Sequence, residues 1–396
     1  MDQFKLINDT CGHSAGDQLL IQLGNKLRTQ IRDKDFIARI GGDEFAIIAN
    51  TKTPELLTML ANRLVNAISE MTFSWEKANF SISCSIGAIF LGNIPKDTSL
   101  AMKHVDTACY AAKESGRNRY HLFQQDDIAS QRAGEMNWIA KINDALKNNS
   151  FHCEFQLIAP SSLSTNDNYC IEALIRLKHE DGSNISPAAF LPAAERYNAI
   201  AKIDRWMIEN TLKILTNNRE ILNRLRFFSI NLSGDSLCSE ELIGTIKKNL
   251  SNYNIPSEKI CFEITETQAI LNINQAKKTL LKIQALGCSI ALDDFGSGMS
   301  SYGYLKQLPV NFLKIDGSFV RNIREDKVHR IFVKSMGEIA SAMGLETIAE
   351  YVEDMQTYHL LQTLGIDYAQ GFGIAKPMTI EKIAYLLKEK DLIISS

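Results

Sequence analysis

After residue 150, acidic and amide side chains recur at the ends of apolar runs. Glu172 lies in Ile-Glu-Ala-Leu, Asn231 in Ile-Asn-Leu-Ser, and Glu263 with Glu266 in Phe-Glu-Ile-Thr-Glu. Asp293 and Asp294 follow in Leu-Asp-Asp-Phe-Gly-Ser-Gly, Lys314 and Asp316 in Leu-Lys-Ile-Asp-Gly, and Glu350 with Glu353 in Ala-Glu-Tyr-Val-Glu. A buried strand does not tolerate such residues unless something pairs with them. Each position also has an ordinary reading: a solvated rim glutamate, an Asp-Asp turn before two glycines, a lysine paired with Asp316. Recurrence at the same end of successive runs favours a shared site. Carboxylates converging there would push up one another's pKa unless cations neutralised them. Oxygen ligands without clustered His or Cys suit hard cations, Mg2+ or Mn2+.

Such a site needs elements that bring its members together. Eight strand-like runs fall at 151–159, 169–177, 227–232, 259–265, 289–294, 312–316, 346–351 and 368–372, separated by longer helical patterns. Their number and the length of 150–396 fit a (β/α)8 barrel, whose strand C-terminal ends open on one mouth. Periodicity alone leaves a doubly wound open sheet in play; the charges at the strand ends favour the barrel. Ahead of it, 37–49 reads as a hairpin turning at Gly41-Gly42. Residues 56–69 have helical spacing (Leu57, Leu60, Leu64, Ile68), 80–90 alternates as a strand and 98–114 is helical again. This mixed order suggests an open sheet covered by helices. Ile139, Ile142 and Leu146 recur at helical spacing within 127–148, a connecting helix without a Gly/Ser/Pro tract.

Composition narrows the class. The 396 residues are 45% hydrophobic and 22% charged, with a net charge of −3. That is ordinary for a folded soluble protein and gives no electrostatic footprint for a nucleic-acid polymer or an anionic membrane. No apolar run is long enough for a membrane helix, and the first residues do not form a signal peptide. The 8 cysteines and 7 histidines are dispersed, which argues for buried free thiols in a reducing cytoplasm and against zinc.

The ordered motifs closely resemble the EAL domain family. They comprise Glu172-Ala173-Leu174 with Arg176, Asn231-Leu232-Ser233, Glu263 to Glu266, Asp293 to Gly296, Lys314-Ile315-Asp316, Glu350 with Glu353, and Gln370-Gly371-Phe372. The resemblance implies a TIM-like barrel phosphodiesterase that hydrolyses cyclic di-GMP to linear pGpG with two Mg2+ or Mn2+ ions. On that basis Glu172, Asn231, Glu263 and Asp293 would hold one cation, and Asp293, Asp294 and Asp316 a second. Lys314 and Glu350 would orient the attacking water, with Glu172 and Asp294 sharing in the catalytic centre. Arg176, Gln370 and Gln156 would meet substrate, and Glu266 and Glu353 would support loops. Leu157, Leu177 and Ser297 depart from the family's common Pro, Trp and Thr without removing a ligand. A homodimer through the barrel is compatible with the resemblance.

The first part resembles the GGDEF, or diguanylate cyclase, family through Phe4 to Asp9, Gly12-His13, Gly16-Asp17, Arg39 to Phe45 and Ala112 to Asn118. The resemblance implies guanine recognition by Asn8 and Asp17, phosphate contacts from Lys5, Lys113 and Arg117, and metal and reacting-group contacts at the Gly41-Gly42-Asp43-Glu44 turn. Arg32 and Asp35 match the family's Arg-x-x-Asp inhibitory site for cyclic di-GMP. The family carries a metal-binding Asp two positions before the one matching Asp2, on a strand preceded by a helix, and here Met1 stands directly before Asp2. The expectation is therefore an incomplete α/β GGDEF domain at 1–124 without cyclase activity, open to regulatory GTP binding. A connecting helix at 125–149 and the EAL barrel at 150–396 would follow. The alternatives are a non-catalytic receptor for cyclic di-GMP or GTP, and a bifunctional cyclase–phosphodiesterase if the protein is longer.

Overall fold

The eight apolar runs become strands, with one short strand added between the second and the third. In the computed structural model these are Phe151–Pro160 (β7), Tyr169–Lys178 (β8), Asn184–Ile185 (β9), Leu225–Asn231 (β10), Ile260–Thr265 (β11), Ser289–Phe295 (β12), Phe312–Ile315 (β13), Glu346–Ala349 (β14) and Tyr368–Gln370 (β15). The structure describes residues 1–2, 4–75, 78–91, 97–148, 150–161, 169–179, 182–296 and 302–388. The chain divides into two units, Met1–Asn137 and Trp138–Ser396.

In the second unit the strands pair in sequence order, and pairing of β8 with β10 closes the ring into a barrel. One departure from the eightfold parallel pattern is that β7 runs antiparallel to both neighbours, β8 and β15. Its N-terminal half therefore lies where the other strands have their C-terminal ends.

Ile158, Cys170, Phe227, Cys261, Ala291, Phe312, Ile348 and Tyr368, one from each barrel strand, form a separate buried apolar cluster. Strand side chains alternate between faces, so residues two positions closer to the mouth share the same interior. These are Gln156, Glu172, Ser229, Glu263, Asp293, Lys314, Glu350 and Gln370. The intervening residues, such as Ala173, Ile230, Ile264, Leu292 and Ile315, pack outward into the main core. The strands look continuously apolar because both faces are buried below the mouth and only the upper interior layer is polar. At the opposite end Arg226 donates to Glu346 (Nη2 to Oε1, 2.6 Å) and to the Tyr368 hydroxyl.

The first unit contains the helices Phe4–Cys11 (α1), His13–Gln30 (α2), Pro54–Ser69 (α3) and Thr98–Glu114 (α4). Leu19, Leu23 and Leu27 of α2 face Leu60, Leu64 and Ile68 of α3 in one core, which is the outcome of their helical spacing. Thr53 caps α3 by accepting from the Leu56 amide, and Pro54 occupies its first turn. The hairpin at Gly41-Gly42 forms from Phe36–Gly41 (β1) and Glu44–Ile48 (β2).

The open sheet does not form among the described residues; the strands make three two-stranded ladders. Residues 80–90 are not one strand. Ala78–Ser81 (β4) pairs with Thr72–Trp75 (β3), whereas Ile86–Ala88 (β5) pairs in parallel with Tyr120–Leu122 (β6). Between them the Ser83 and Ser85 hydroxyls donate to the Asp2 carboxylate at 3.0 and 2.7 Å. Helix Gln125–Asn148 (α5) spans the division between the units, and its Ile142 is buried in the barrel unit's core.

Candidate active site

Lys314 occupies the centre of the upper interior layer. Its Nζ lies 2.8 Å from Glu263 Oε2, 2.8 Å from Glu350 Oε1, 3.2 Å from Asp293 Oδ1 and 3.6 Å from Glu172 Oε2. Four strands and the residue just after β14 supply these groups, and only barrel closure makes them neighbours. Glu172 is fixed on its other side by Asn231 Nδ2, which donates to Oε1 at 2.7 Å, and by Gln370 Nε2, which donates to Oε2 at 2.6 Å. Gln370 Nε2 also donates to Gln156 Oε1 at 3.2 Å, and Gln156 Nε2 donates to the Ala375 carbonyl.

The charges are unequal in number, and the titration shifts follow. Burial would lower the Lys314 ammonium, yet Asp293, Glu172, Glu263 and Glu350 hold it well above the ordinary lysine range. Burial raises Glu172, but Lys314 and the donors Gln370 and Asn231 leave it below the usual carboxylate value. Burial, then Glu172, pushes Glu263 up to about 8, and burial outweighs Lys314 at Glu350, which rises well above its usual value. Burial with Asp293 and Asp316 raises Asp294 to about 6. One lysine thus leaves the cluster with excess acid.

This donor set fits divalent cations. Asp293, Asp294 and Glu350 each offer an oxygen, all within 4.8 Å of one another. Glu263 Oε1 and Gln370 Oε1 are buried without a hydrogen-bond partner among the described residues. Hard oxygen donors with unused lone pairs match Mg2+ or Mn2+. Asp316, by contrast, has Oδ1 engaged as the cap of Gly317–Val320, accepting from the Ser318 amide at 2.9 Å.

The supporting shell explains several glycines and one glutamate. Glu266, buried after β11, accepts from the Gly296 amide at 2.9 Å and from the Tyr304 hydroxyl, so it holds both ends of the segment that follows Asp293-Asp294. Ser297, one of the family departures, lies outside the described residues. Asp294 is itself at φ +56, an uncommon conformation for a residue with a side chain. A Cβ on Gly371 would lie 2.2 Å from the Val352 carbonyl oxygen, and one on Gly373 would lie 2.5 Å from the Asp354 nitrogen. These contacts bring the loop after β15 onto the segment holding Glu350 and Glu353.

Arg176 is not an open cation. Its Nε donates to Glu154 Oε2 at 2.7 Å and its Nη1 to the Ile175 carbonyl, while Asn184 Nδ2 donates to Glu154 Oε1. Glu154 belongs to no motif in the sequence, although its place two residues before Gln156 puts it on the same inward face. Nor does Asp204, on the helix Ile200–Asn217, stand in a motif, yet it accepts from the Ser233 amide, the Ser233 hydroxyl and the Ser236 hydroxyl just after Asn231.

In the first unit the Gly41-Gly42 turn is exposed, with Gly42 at φ +35 and its carbonyl accepting from Arg39 Nε. Asp43 pairs with the Met1 amine at 3.0 Å, and Glu44 is exposed. Asn8 on α1 and Asp17 on α2 are half-buried; a Cβ on the intervening Gly16 would lie 1.9 Å from Asn8 Oδ1. Lys113 and Arg117 are exposed, and the Lys5 side chain lies outside the described part. Asp35 accepts from the Arg32 and Asn50 amides, closing the turn before β1. All eight thiols are free; Cys84, Cys153, Cys170, Cys261 and Cys288 are buried, whereas Cys238 is exposed. Among the described residues no helix is long and apolar enough to cross a membrane.

Comparison with known proteins agrees with this geometry. Residues 139–377 match the family described as EAL domain, and residues 1–119 match "Diguanylate cyclase, GGDEF domain". Cyclic di-GMP phosphodiesterase PdeB of Shewanella oneidensis is 37% identical over 96% of this chain and 44% of its own length. Signaling protein YkoW of Bacillus subtilis is 33% identical over 98% of this chain and 48% of its own. The chain therefore spans about half the length of these curated relatives. Among solved structures, a MucR phosphodiesterase in complex with c-di-GMP aligns at a TM-score of 0.57 with 25% identity, over 62% of this chain and 99% of that one. The FimX EAL domain of Pseudomonas aeruginosa bound to c-di-GMP aligns at 0.56 with 30% identity, over 61% of this chain and 96% of that one.

Proposed function

The chain belongs to the EAL domain family, with a GGDEF domain ahead of the barrel, and from that premise we propose that the barrel hydrolyses cyclic di-GMP to linear pGpG around Lys314. The observation that carries this reading is the buried Lys314 ammonium facing four carboxylates, three from other strands and one just after β14, with unused carboxylate oxygen beside it. Glu172, Asn231, Glu263 and Asp293 would hold one divalent cation, and Asp293, Asp294 and Asp316 a second. Bound there, such cations supply Lewis acidity and an acidified water.

The chain's own residues do the rest. Hydrolysis forms a phosphorus bond to the water oxygen and breaks one ester P–O bond, and the departing ribose oxygen takes up a proton. The 2.8 Å contact between Lys314 and Glu350 holds the pair to orient that water. Arg176, fixed through Nε and Nη1, would present its remaining nitrogen to a phosphate oxygen. Gln156 and Gln370 form an amide chain that keeps Glu172 aimed into the site.

For the first unit the proposal is regulatory binding of GTP without cyclisation. Supporting this, its strands form three separate ladders among the described residues, so no continuous sheet ties the Asp43-Glu44 turn to Lys113 and Arg117. A homodimer through the barrel belongs to the same reading, supported by the exposed Val328, Ile331 and Phe332 on the helix Lys327–Ala342. The buried free thiols fit a cytoplasmic setting.

The test is incubation of the chain with cyclic di-GMP, with and without Mg2+ or Mn2+, beside Glu172→Ala. Linear dinucleotide formed only with metal and only by the unmutated chain supports hydrolysis. Binding without turnover would make the barrel a receptor instead. Cyclic di-GMP formed from GTP and Mg2+ would overturn the assignment of the first unit.

A further inference from the structure

Tyr351 follows Glu350 directly and sits at φ +55, a conformation costly for a bulky residue and sustained only where surrounding structure enforces it. Its ring lies against Gly317, the residue after Asp316: a Cβ there would fall 2.1 Å from ring atom Cδ2. Arg321, at the end of the short helix Gly317–Val320, places its guanidinium 4.4 Å from the same ring's centre. Tyr351 remains 44% exposed. Arg321 Nε is buried without a hydrogen-bond acceptor, and Arg321 takes part in no ion pair among the described residues. Strained backbone thus delivers an aromatic–guanidinium pair to the rim, Tyr351 one residue after Glu350 and Arg321 five residues after Asp316, and among the described residues its charge is not spent on a carboxylate.

We infer that the Arg321–Tyr351 pair is the subsite that reads a guanine base of the substrate. A guanidinium donates two parallel hydrogen bonds to the O6 and N7 acceptors of guanine, whereas adenine presents an amino donor in place of O6. The aromatic ring attracts the guanidinium that lies over it and offers a face on which the base can stack. This inference rests on the cyclic di-GMP reading and adds the residues that make the choice of base.

The experiment compares the unmutated chain, Arg321→Ala, Arg321→Lys and Tyr351→Gly on cyclic di-GMP, its 7-deaza analogue and cyclic di-AMP, recording kcat, KM and calorimetric affinity. Tyr351→Gly removes the unfavourable φ, so it tests the ring without threatening the fold. Arg321→Ala is expected to raise KM for cyclic di-GMP about tenfold with kcat nearly unchanged, a bidentate base contact being worth about that factor or more. It should cost little further on the 7-deaza analogue, which lacks N7, and should shrink the guanine-over-adenine preference by the same factor. Arg321→Lys, a point charge, should recover only part of the loss. An unchanged KM, or equal losses on both guanine substrates, would overturn the subsite. An unmutated chain that binds without cleaving removes the hydrolysis reading alone, and the same comparison made on Kd decides the subsite. Neither binding nor cleavage overturns both.

Discussion

Lys314 and Glu263 meet at 2.8 Å in the barrel interior with neither side chain more than 1% exposed. Acids gathered in one pocket call for neutralising cations, and the fold supplies the first of these from its own strand β13. Because the same ammonium also faces Glu172, Asp293 and Glu350, it organises the pocket without balancing it.

Removing that ammonium should expose the imbalance. Lys314→Ala is expected to lower stability by about 3–5 kcal/mol in metal-free buffer, the usual cost of orphaning a buried charge. Added Mg2+ should narrow the gap. Urea unfolding of both proteins with and without Mg2+ measures this, and equal stability without metal would count against the central role of Lys314.

Glu154 should act through Arg176 and not on the reaction itself. Glu154→Ala frees the guanidinium Nε and is expected to cost about 1 kcal/mol of substrate binding, roughly fivefold in KM, because the pair is partly exposed. Glu154→Gln keeps an acceptor and should recover most of it. A change in kcat with KM constant would contradict this positioning role.

Gly371 is predicted to be intolerant of any side chain. In Gly371→Ala the new Cβ would overlap Val352 backbone atoms at 2.2–2.3 Å, which cannot rotate away. The expected loss is about 1–3 kcal/mol or more, with Gln370 displaced from Glu172 and activity reduced. Gly244→Ala, where the added carbon meets nothing within 4 Å, is the control. Equal melting temperatures for the two variants would refute the packing argument.

Asp35 should confer pH-dependent order on the turn before β1. Amide donation from Asn50 and then Arg32 holds its carboxyl below the ordinary aspartate value of 3.8. A folded-state pKa below the unfolded one means stability that is present above 3.8 and lost as pH falls through the folded value. The Arg32 and Asn50 amide resonances should therefore move together in an acid titration and stay constant in Asp35→Asn. A midpoint at or above the ordinary aspartate value would exclude the predicted sign.

The eight barrel strands, the hairpin at Gly41-Gly42 and the helices at 56–69 and 98–114 were legible in the sequence, because alternation, helical spacing and turn glycines are local signals. So were the site's acids, since a carboxylate ending an apolar run stands out without any partner being known. What periodicity could not supply was partnership. Gln156 and Gln370 lie 214 positions apart and touch only because the ring closes. The antiparallel entry of β7, the pairing of Arg176 with Glu154, the breaking of 80–90 into two strands and the placing of Lys314 among four acids were decided by tertiary structure. Alternation tells which face a side chain occupies; which charge it meets there depends on register between strands distant in sequence, fixed by closure and burial rather than by local preference.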